Sequence, residues 1–376
     1  QPLAGPARTV DYDTIVVTAG AVTRTFSIPG VAEEAIGLKH VEEAVAIRDR
    51  LLTAFERAAT LPPGPGRRAL LTVTVVGGGF TGVEGIGELH SLATALLRHY
   101  PELGPDDLAF HLVEARDRIL PEVTDRPGAW VVRHLERRGV RVHLNTRLRS
   151  AAGGHVVLSD GTEYDGELLI WTAGNAVNPV VNAHTDLPID EHGLLPVRAD
   201  LRVVRAALDA PEEVVPGAWA AGDNAAVPDL ASPVPGARTV PNAQHAVRQG
   251  KRLAANLVTD LRGRQPRPYR HDSLGVVATL GMGQGIFQYR RLVIKGLPAW
   301  LMHRGYHVLA VPTWERKIRV LLVWIAALFF GRDTVSLLAV QHPRQAFTEA
   351  ARSTTELPAS PAEPPPNGRK EAEHVR

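Results

Sequence analysis

Three glycines that follow an apolar run are the residues of this chain with the clearest chemical meaning. The run Val73–Val76 predicts a buried parallel strand, and Gly77-x-Gly79-x-x-Gly82 leads from it into a helical pattern. In that context Gly77 allows a tight turn, Gly79 lets the backbone approach a pyrophosphate, and Gly82 lets helix and strand pack closely. The helix N-terminus adds N–H groups and a positive dipole. The pattern predicts a dinucleotide site, with a purely structural glycine turn as the alternative.

An acid at the end of the next apolar run supports the dinucleotide site. His111-Leu112-Val113-Glu114 predicts a second strand with Glu114 at its carboxyl end. A carboxylate there accepts a hydrogen bond from a ribose 2′-OH and repels a 2′-phosphate, so we expect NADH to be preferred over NADPH. Arg116 and Arg118 follow closely and leave this preference open.

Two stretches of the chain share one pattern: Tyr-Asp, an apolar strand, then Thr-Ala-Gly. The first ends at Thr18-Ala19-Gly20 and the second at Thr172-Ala173-Gly174. A complete nucleotide unit precedes the second copy, and none precedes the first. We interpret the pair as two related nucleotide-binding domains, the front of the first being absent from this chain. Chance similarity of two buried strands is the alternative.

The composition limits the classes of function. A chain of 376 residues fits two or three domains, and a net charge of +2 does not indicate a nucleic-acid-binding protein. The absence of cysteine excludes disulfide scaffolds, thiolate metal sites and redox-active cysteine pairs. The fifteen histidines are scattered, so we expect no metal site. The cytoplasm is the default compartment.

Flanking segments supply further elements. Helical spacing predicts a helix over about residues 39–60, and the proline- and glycine-rich residues 61–68 predict a linker. An apolar strand is predicted to end in the turn Gly222-Asp223, and a helix to run from about Pro241 to Leu261.

Residues 290–332 differ in character from the rest of the chain. Aromatic and apolar residues lead to the run 320–330, which at 11 residues is too short to span a bilayer. Eight positive and two negative charges surround it. Such a segment is typical of a helix lying on an anionic lipid surface, with a buried helix pair or a homodimer interface as alternatives. The tail from Ser353 is predicted to be disordered.

Taken together, these stretches resemble the flavin-dependent pyridine-nucleotide oxidoreductases with two dinucleotide-binding domains, most closely the type II NADH:quinone oxidoreductase family. The resemblance is carried by Gly77–Glu84 with Gly87-Glu88-Leu89, by Ala221-Gly222-Asp223, and by Ala243-Gln244-His245-Ala246. At the last place the family pattern reads A-Q-x-A-x-Q. Here the sixth position is Arg248, and Gln249 follows it.

The resemblance implies roles for individual residues. FAD would lie against Thr18, Ala19, Gly20, Gly222 and Asp223, with Asp223 holding the ribityl chain; an Asp that caps the following turn is the alternative. NADH would lie against the Gly77 turn, Glu114 and Gly174. Glu84 would sit beside the nicotinamide, or else only complement a helix dipole.

The remaining implied roles concern the acceptor and the missing part of the family pattern. Gln244 would line the quinone site, and Arg248 would stabilise the reduced quinone or pair with a surface carboxylate. Because the family's FAD fingerprint precedes the start of this chain, we expect the chain alone not to retain stoichiometric FAD.

The sequence therefore predicts an α/β fold with two Rossmann-like domains and a C-terminal helical membrane-association segment. The expected divisions are 1–62 and 175–289 for FAD, 69–174 for NADH, 290–350 for the membrane and 351–376 for the tail. The expected activity is transfer of a hydride from NADH to FAD and of two electrons to a membrane quinone, without proton pumping, at the cytoplasmic face of the cell membrane. A soluble NAD(P)H reductase of a ferredoxin or diffusible quinone, and a non-catalytic nucleotide-binding remnant, are the alternatives.

Overall fold

The computed structural model of the chain describes residues 9–207, 210–330 and 334–337. Contacts divide the chain after Asp333, and residues 334–337 of the second unit have no regular secondary structure. The strands are β1 (Ile15–Val17), β2 (Ala21–Thr23), β3 (Ala35–Gly37), β4 (Thr72–Val76), β5 (Ala109–Val113), β6 (Val140–His143), β7 (Leu148–Ser150), β8 (His155–Leu158), β9 (Glu163–Asp165), β10 (Leu168–Trp171), β11 (Asn175–Val177), β12 (Leu195–Pro196), β13 (Arg202–Ala207), β14 (Ala210–Ala220), β15 (Ala225–Ala226), β16 (Val276–Thr279), β17 (Gly285–Tyr289) and β18 (Leu292–Lys295). The helices are α1 (Val31–Glu34), α2 (Val41–Ala59), α3 (Pro65–Leu70), α4 (Phe80–Leu96), α5 (Asp125–Arg137), α6 (Pro179–Ala183), α7 (Ala243–Leu261), α8 (Leu297–Ala310) and α9 (Trp314–Phe330).

A parallel sheet in the order β3-β10-β4-β5-β6 forms the centre of the glycine-motif region. Every residue of β4 is buried, which explains its unbroken β-branched run. Side chains alternate between the two faces of a strand. Val73 and Val75 pack in a core with helices α2, α4 and α5, and Val76 packs on the opposite side with residues of β7 and β8. The carboxyl ends of β4, β5 and β10 meet at one edge, where open α/β sheets bind their ligands.

A second sheet gathers residues that are far apart in the sequence. Strand β14 pairs in parallel with β1 and antiparallel with β13. Trp219 of β14 is 1% exposed and packs in a core with Leu201, Val203, and Leu253 of α7. The strand predicted before Gly222 and the helix predicted to end near Leu261 are both confirmed.

The two Thr-Ala-Gly copies lead into strands that pair with each other. Strand β2 follows the first copy and β11 follows the second, and they run antiparallel with Val22 opposite Ala176. These two residues occupy the same place after the glycine of their own copy. The two copies are therefore related by an approximate local two-fold axis between β2 and β11. Such a relation is in keeping with an α/β fold built from two dinucleotide-binding units.

Several predicted features differ from the structure or agree with it only in part. The helix over 39–60 is confirmed as α2, but residues 61–68 are not a free linker, since α3 begins at Pro65. The buried Arg67 donates to the carbonyl oxygens of Leu61 and Glu102, which fixes this stretch against the sheet region.

The C-terminal region also has more structure than the sequence suggested. Strands β16, β17 and β18 form an antiparallel sheet, so the predicted boundary between 289 and 290 falls inside a hairpin. Helices α8 and α9 follow it, and no helix in the described part of the chain is long and apolar enough to cross a membrane. The predicted disordered tail, 351–376, lies outside the described residues.

Candidate functional site

The glycine turn after β4 has the shape that its three glycines predict. Gly77 adopts φ +114°, and a Cβ there would lie 2.6 Å from Thr172 Oγ1. A Cβ at Gly82 would overlap the carbonyl oxygen of Gly77. Gly79 has no atom within 4 Å of its Cβ position and precedes α4 without a side-chain cap. The turn therefore leaves an open approach to the first N–H groups of α4, where an anionic group would bind.

Glu114 follows β5 and lies against this turn. Its Oε2 atom accepts a hydrogen bond from Gly78 N at 2.6 Å, and its Oε1 atom accepts from Arg116 N at 2.8 Å. Each carboxylate oxygen has a second lone pair, so the group can still accept a ribose hydroxyl. The acid thus has a role that spacing did not predict, because it also holds the glycine turn in place.

A cavity of about 780 Å³ opens at this edge of the sheet. Gly77, Gly79, Glu114, Trp171 and Gly174 line it, so four predicted nucleotide-binding residues meet in one place. Gly82 packs beneath the turn and does not line the cavity. The volume is in the range of pockets that hold cofactors. Its glycine turn, free helix N-terminus and carboxylate fit a nicotinamide dinucleotide.

The flavin-side residues Thr18, Ala19, Gly20, Gly222 and Asp223 form a second group at the ends of β1 and β14. Asp223 lines a separate cavity of about 440 Å³ together with Ala21, Arg24 and Asn175. Among the described residues no hydrogen bond or ion pair is made by the Asp223 carboxylate. A free carboxylate facing a cavity fits a ligand that carries hydroxyl groups, such as the ribityl chain of FAD.

Two buried amides, those of Asn224 and Gln249, brace this second group, and the sequence analysis gave neither of them a role. Asn224 is fully buried; its Oδ1 accepts from Gly20 N at 3.0 Å, and its Nδ2 donates to Val17 O. Gln249 Oε1 accepts from Gly222 N at 2.8 Å. The sequence offered one indication of these residues, which is their place next to a motif. Asn224 follows Asp223, and Gln249 follows the altered A-Q-x-A-x-Q motif.

The predicted acceptor-side residues lie in the first turns of α7. Arg248 Nη1 donates to Gln244 O at 2.9 Å, so the two residues share a face as their spacing predicts. Close by, His245 Nδ1 lies 2.9 Å from Tyr269 Oη. Burial and the neighbouring His271 lower the pKa of His245, which favours the neutral ring.

Glu84 lies in the first turn of α4 but makes tertiary contacts, beyond those of a dipole-complementing acid. Its Oε1 atom accepts from Thr279 N at 3.0 Å and lies 3.0 Å from His303 Nε2 of α8. Glu88, one turn later, lies 3.8 Å from Arg304. The glycine-motif helix therefore contacts both β16 and α8. Within the described residues no group of His, Asp and Glu side chains has metal-binding geometry.

Comparisons with known proteins place this geometry in context. Residues 2–250 match the model of a family described as pyridine nucleotide-disulphide oxidoreductase. An internal alternative NAD(P)H-ubiquinone oxidoreductase A1 of Arabidopsis thaliana mitochondria is 30% identical over 347 residues, covering 86% of this chain and 64% of the relative. The type II NADH:quinone oxidoreductase Ndh of Mycobacterium tuberculosis is 27% identical over 333 residues, covering 86% and 68%. The chain thus spans about two thirds of the length of these curated relatives.

Among solved structures, NDH2 of Plasmodium falciparum in complex with NADH superposes with a TM-score of 0.76. The identity is 17%, and the match covers 87% of this chain and 80% of the other. At that identity the likeness establishes the fold. Together with the cavity and the two glycine-turn regions, it describes an α/β chain with dinucleotide-binding domains.

Proposed function

Because this chain belongs to the pyridine nucleotide-disulphide oxidoreductase family, we propose that it is an FAD-dependent NADH dehydrogenase that delivers electrons to a membrane quinone. The observation that carries the proposal is the meeting of the Gly77 turn, Glu114 and Gly174 on one cavity. Quinone is the acceptor named for the Arabidopsis and Mycobacterium relatives.

Residues around the first cavity would bind and orient NADH. The N–H groups at the start of α4 would hold the pyrophosphate, with Gly79 allowing close approach. Glu114 would accept a hydroxyl of the adenosine ribose while it keeps its bonds to Gly78 and Arg116. Glu84 would lie beside the nicotinamide, held by Thr279 and His303.

Residues at the ends of β1 and β14 would hold the flavin. Asp223 would accept from the ribityl hydroxyls, and Thr18, Ala19, Gly20 and Gly222 would form the adjoining wall. When bound, FAD supplies a flavin ring that accepts a hydride and can pass the two electrons to an acceptor, either singly or as a pair. The braces from Asn224 and Gln249 fix the two glycine backbones, so the wall is rigid before any ligand binds.

Gln244 and Arg248 would form the acceptor side of the site. The Gln244 amide can both donate to and accept from a quinone carbonyl. Arg248 is anchored on the Gln244 carbonyl, and its remaining N–H donors would stabilise negative charge as the quinone is reduced.

Helix α9 supports a place at the membrane surface. None of its residues is buried, and Trp314, Leu322, Phe329 and Phe330 are all largely exposed. Several exposed apolar side chains lie on the same helix as the basic residues Arg316, Lys317 and Arg319. This combination suits the headgroup region of an anionic leaflet, where apolar groups insert and positive charges meet the lipid phosphates. The protein would then be peripheral, on the cytoplasmic face of the cell membrane; a homodimer that covers α9 is the competing arrangement.

The test is steady-state oxidation of NADH by the FAD-reconstituted full chain with a water-soluble quinone. We expect turnover with the quinone and little with ferredoxin. The variant Gly79→Val, which fills the open approach to α4, should abolish turnover while the protein stays folded, because its Cβ position meets no other atom. Turnover with ferredoxin alone would favour a soluble reductase, and nucleotide binding without any turnover would favour a non-catalytic nucleotide-binding protein.

A further inference from the structure

A further cavity, of about 510 Å³, lies between the start of α5 and the hairpin formed by β17 and β18. Its lining includes four cations, namely Arg126 of α5, Lys295 of β18, and Arg290 and Arg291 of the turn between the two strands. All four residues are exposed, and none of their charged groups forms an ion pair or a hydrogen bond with another described residue. Asp125 is the one acid among the described lining residues, and its carboxylate pairs with Arg118 at 2.6 Å. The positive charge of the cavity is therefore uncompensated.

Side-chain contacts join the hairpin to α5 and give the cavity fixed walls. Gln288 of β17 is 7% exposed; its Oε1 atom accepts from Thr124 N at 2.9 Å, and its Nε2 atom donates to Thr124 Oγ1 at 2.8 Å. Lys295 Nζ lies 4.8 Å from the centre of the Trp130 ring of α5. The cations of the two elements are thus held around one space by contacts within the chain.

The path of α9 brings its last turn to the same end of the structure. Lys317 Nζ near the start of α9 donates to Leu309 O near the end of α8. Further along, the Arg304 guanidinium of α8 lies 5.0 Å from the Trp300 ring and 4.6 Å from the Trp324 ring of α9. Helix α9 therefore runs back along α8. At a rise of about 1.5 Å per residue, its last turn reaches the level of the first turn of α8, which directly follows β18.

Exposed apolar side chains lie at this end of the structure. Leu292 follows the hairpin turn, Leu297 begins α8, and Phe329 and Phe330 end α9; all four are more than half exposed. Apolar groups that can insert between acyl chains thus lie near a basic cavity, which suits contact with an anionic leaflet. Guanidinium groups bind phosphate through paired N–H donors, and a cavity of this size can hold a phosphate-bearing headgroup. The combination favours a lipid phosphate over a phosphate compound in solution.

We propose that Arg126, Arg290, Arg291 and Lys295 bind the headgroup phosphate of an anionic phospholipid. The inference rests on the proposed membrane contact of α9 and adds to it a lipid site outside that helix. Because Arg126 belongs to α5, the glycine-motif region itself would contact the membrane surface at this site.

Cosedimentation of the full chain with phosphatidylcholine vesicles that contain phosphatidylglycerol tests the proposal. We expect R290Q/R291Q to weaken partition to these vesicles by at least about tenfold. The control R262Q/R264Q removes the same charge from exposed positions outside the cavity, just after α7, and should change partition by less than about twofold.

Two further variants separate a headgroup site from a diffuse effect of charge. R290K/R291K keeps the charge and loses the paired donors, so its partition should fall between those of the wild type and R290Q/R291Q. Arg126→Gln changes the other wall of the cavity and should weaken partition by about fivefold.

Calorimetric titration of the wild type and R290Q/R291Q with inorganic phosphate examines a soluble ligand, and we expect no binding in the micromolar range. Such binding, if R290Q/R291Q abolished it, would overturn the inference and make the cavity a site for soluble phosphate. Unchanged partition of R290Q/R291Q, or equal losses in R290Q/R291Q and R262Q/R264Q, would overturn it as well. Failure of the wild-type chain to bind any of these vesicles would instead contradict the proposed membrane contact itself.

Discussion

At the scale of single residues, three side chains share one role, which is to accept a hydrogen bond from the N–H group of a glycine. Glu114 accepts from Gly78 N, Asn224 from Gly20 N, and Gln249 from Gly222 N. Each fixes the backbone of a glycine turn that faces a cavity or a proposed ligand. Because glycine has the greatest conformational freedom, such turns need an external acceptor to hold one shape. In the proposed binding sites these acceptors would hold the glycine backbones in place without contacting a ligand themselves.

Gln249 provides the first prediction. Gln249→Ala leaves the Gly222 N–H without its acceptor and also removes the bond to Thr239 Oγ1, so unfolding should become easier by about 1–3 kcal/mol. Urea unfolding of the two proteins measures the difference. Gln265→Ala, at an exposed position, is the control and should change the unfolding free energy by less than about 0.5 kcal/mol. Equal effects at the two positions would contradict the bracing role.

His111 provides a prediction about pH. Burial lowers the pKa of His111 to about 3, against about 6.5 in an unfolded chain. Between these values the unfolded chain binds a proton that the folded chain does not, so stability falls as pH falls below about 6.5. His111→Phe keeps a ring beside Tyr164 and removes the titrating group. The loss of stability per pH unit should then shrink by up to about 1.4 kcal/mol.

Urea unfolding at several pH values between about 4 and 7 measures this slope. His99→Phe replaces an exposed histidine and should leave the slope as it is. A slope unchanged in His111→Phe would show that the acid sensitivity comes from other groups.

Gln244 provides a prediction about electron transfer. Gln244→Ala should slow reoxidation of the reduced flavin by quinone and leave reduction by NADH unchanged, because in the proposed arrangement the amide contacts only the acceptor. Stopped-flow measurement of each half-reaction separates the two. If the NADH half-reaction slows and the quinone half-reaction does not, Gln244 belongs to the donor side.

At the scale of elements, helix α4 connects the nucleotide turn to the C-terminal helices. Gly79, the residue before its first turn, lines the cavity, and Glu84 and Glu88 contact α8 through His303 and Arg304. Helix α9 follows α8, so the proposed membrane contact and the nucleotide turn are joined by one continuous set of packed elements. We infer that α8 supports helix α4 and also connects it to α9, the proposed membrane-contacting helix.

The membrane contact of α9 can be tested by substitution. L322D/F329D places two charges on its exposed apolar surface and should abolish cosedimentation with vesicles that contain phosphatidylglycerol. Leu230→Asp, at an exposed apolar position outside the helix, should leave cosedimentation intact. Loss of dimers in L322D/F329D with vesicle binding unchanged would show instead that α9 is a subunit interface.

Local sequence patterns predicted the elements whose residues lie next to each other along the chain. The β4 run, the Gly77 turn, Glu114 and α7 follow from spacing, because strand, turn and helix periodicity are local properties. The braces from Asn224 to Gly20 and from Glu84 to Thr279 join residues about 200 positions apart, and no local pattern specifies such pairs. Likewise, only the structure shows that Arg147 and Arg149 line the same cavity as Glu114, whose carbonyl oxygen accepts from Thr146 N.

At the scale of the whole molecule, the two Thr-Ala-Gly copies meet where β2 pairs antiparallel with β11. Gly20 precedes β2 and Gly174 precedes β11, so each copy contributes one glycine next to the paired strands. This arrangement brings the end of the nucleotide cavity and the flavin-side residues to neighbouring strands. Transfer of a hydride between two bound groups requires such proximity, since reacting atoms must lie within about 3–3.5 Å.

In the proposed function, one chain accepts electrons from NADH on a bound flavin and passes them to a quinone. Anaerobic stopped-flow absorbance of the FAD-reconstituted chain tests it most directly. We predict that NADH bleaches the flavin absorbance and that a subsequent quinone pulse restores it, both faster than steady-state turnover or equal to it. A flavin that NADH does not bleach, or that quinone does not reoxidise once reduced, would contradict the account.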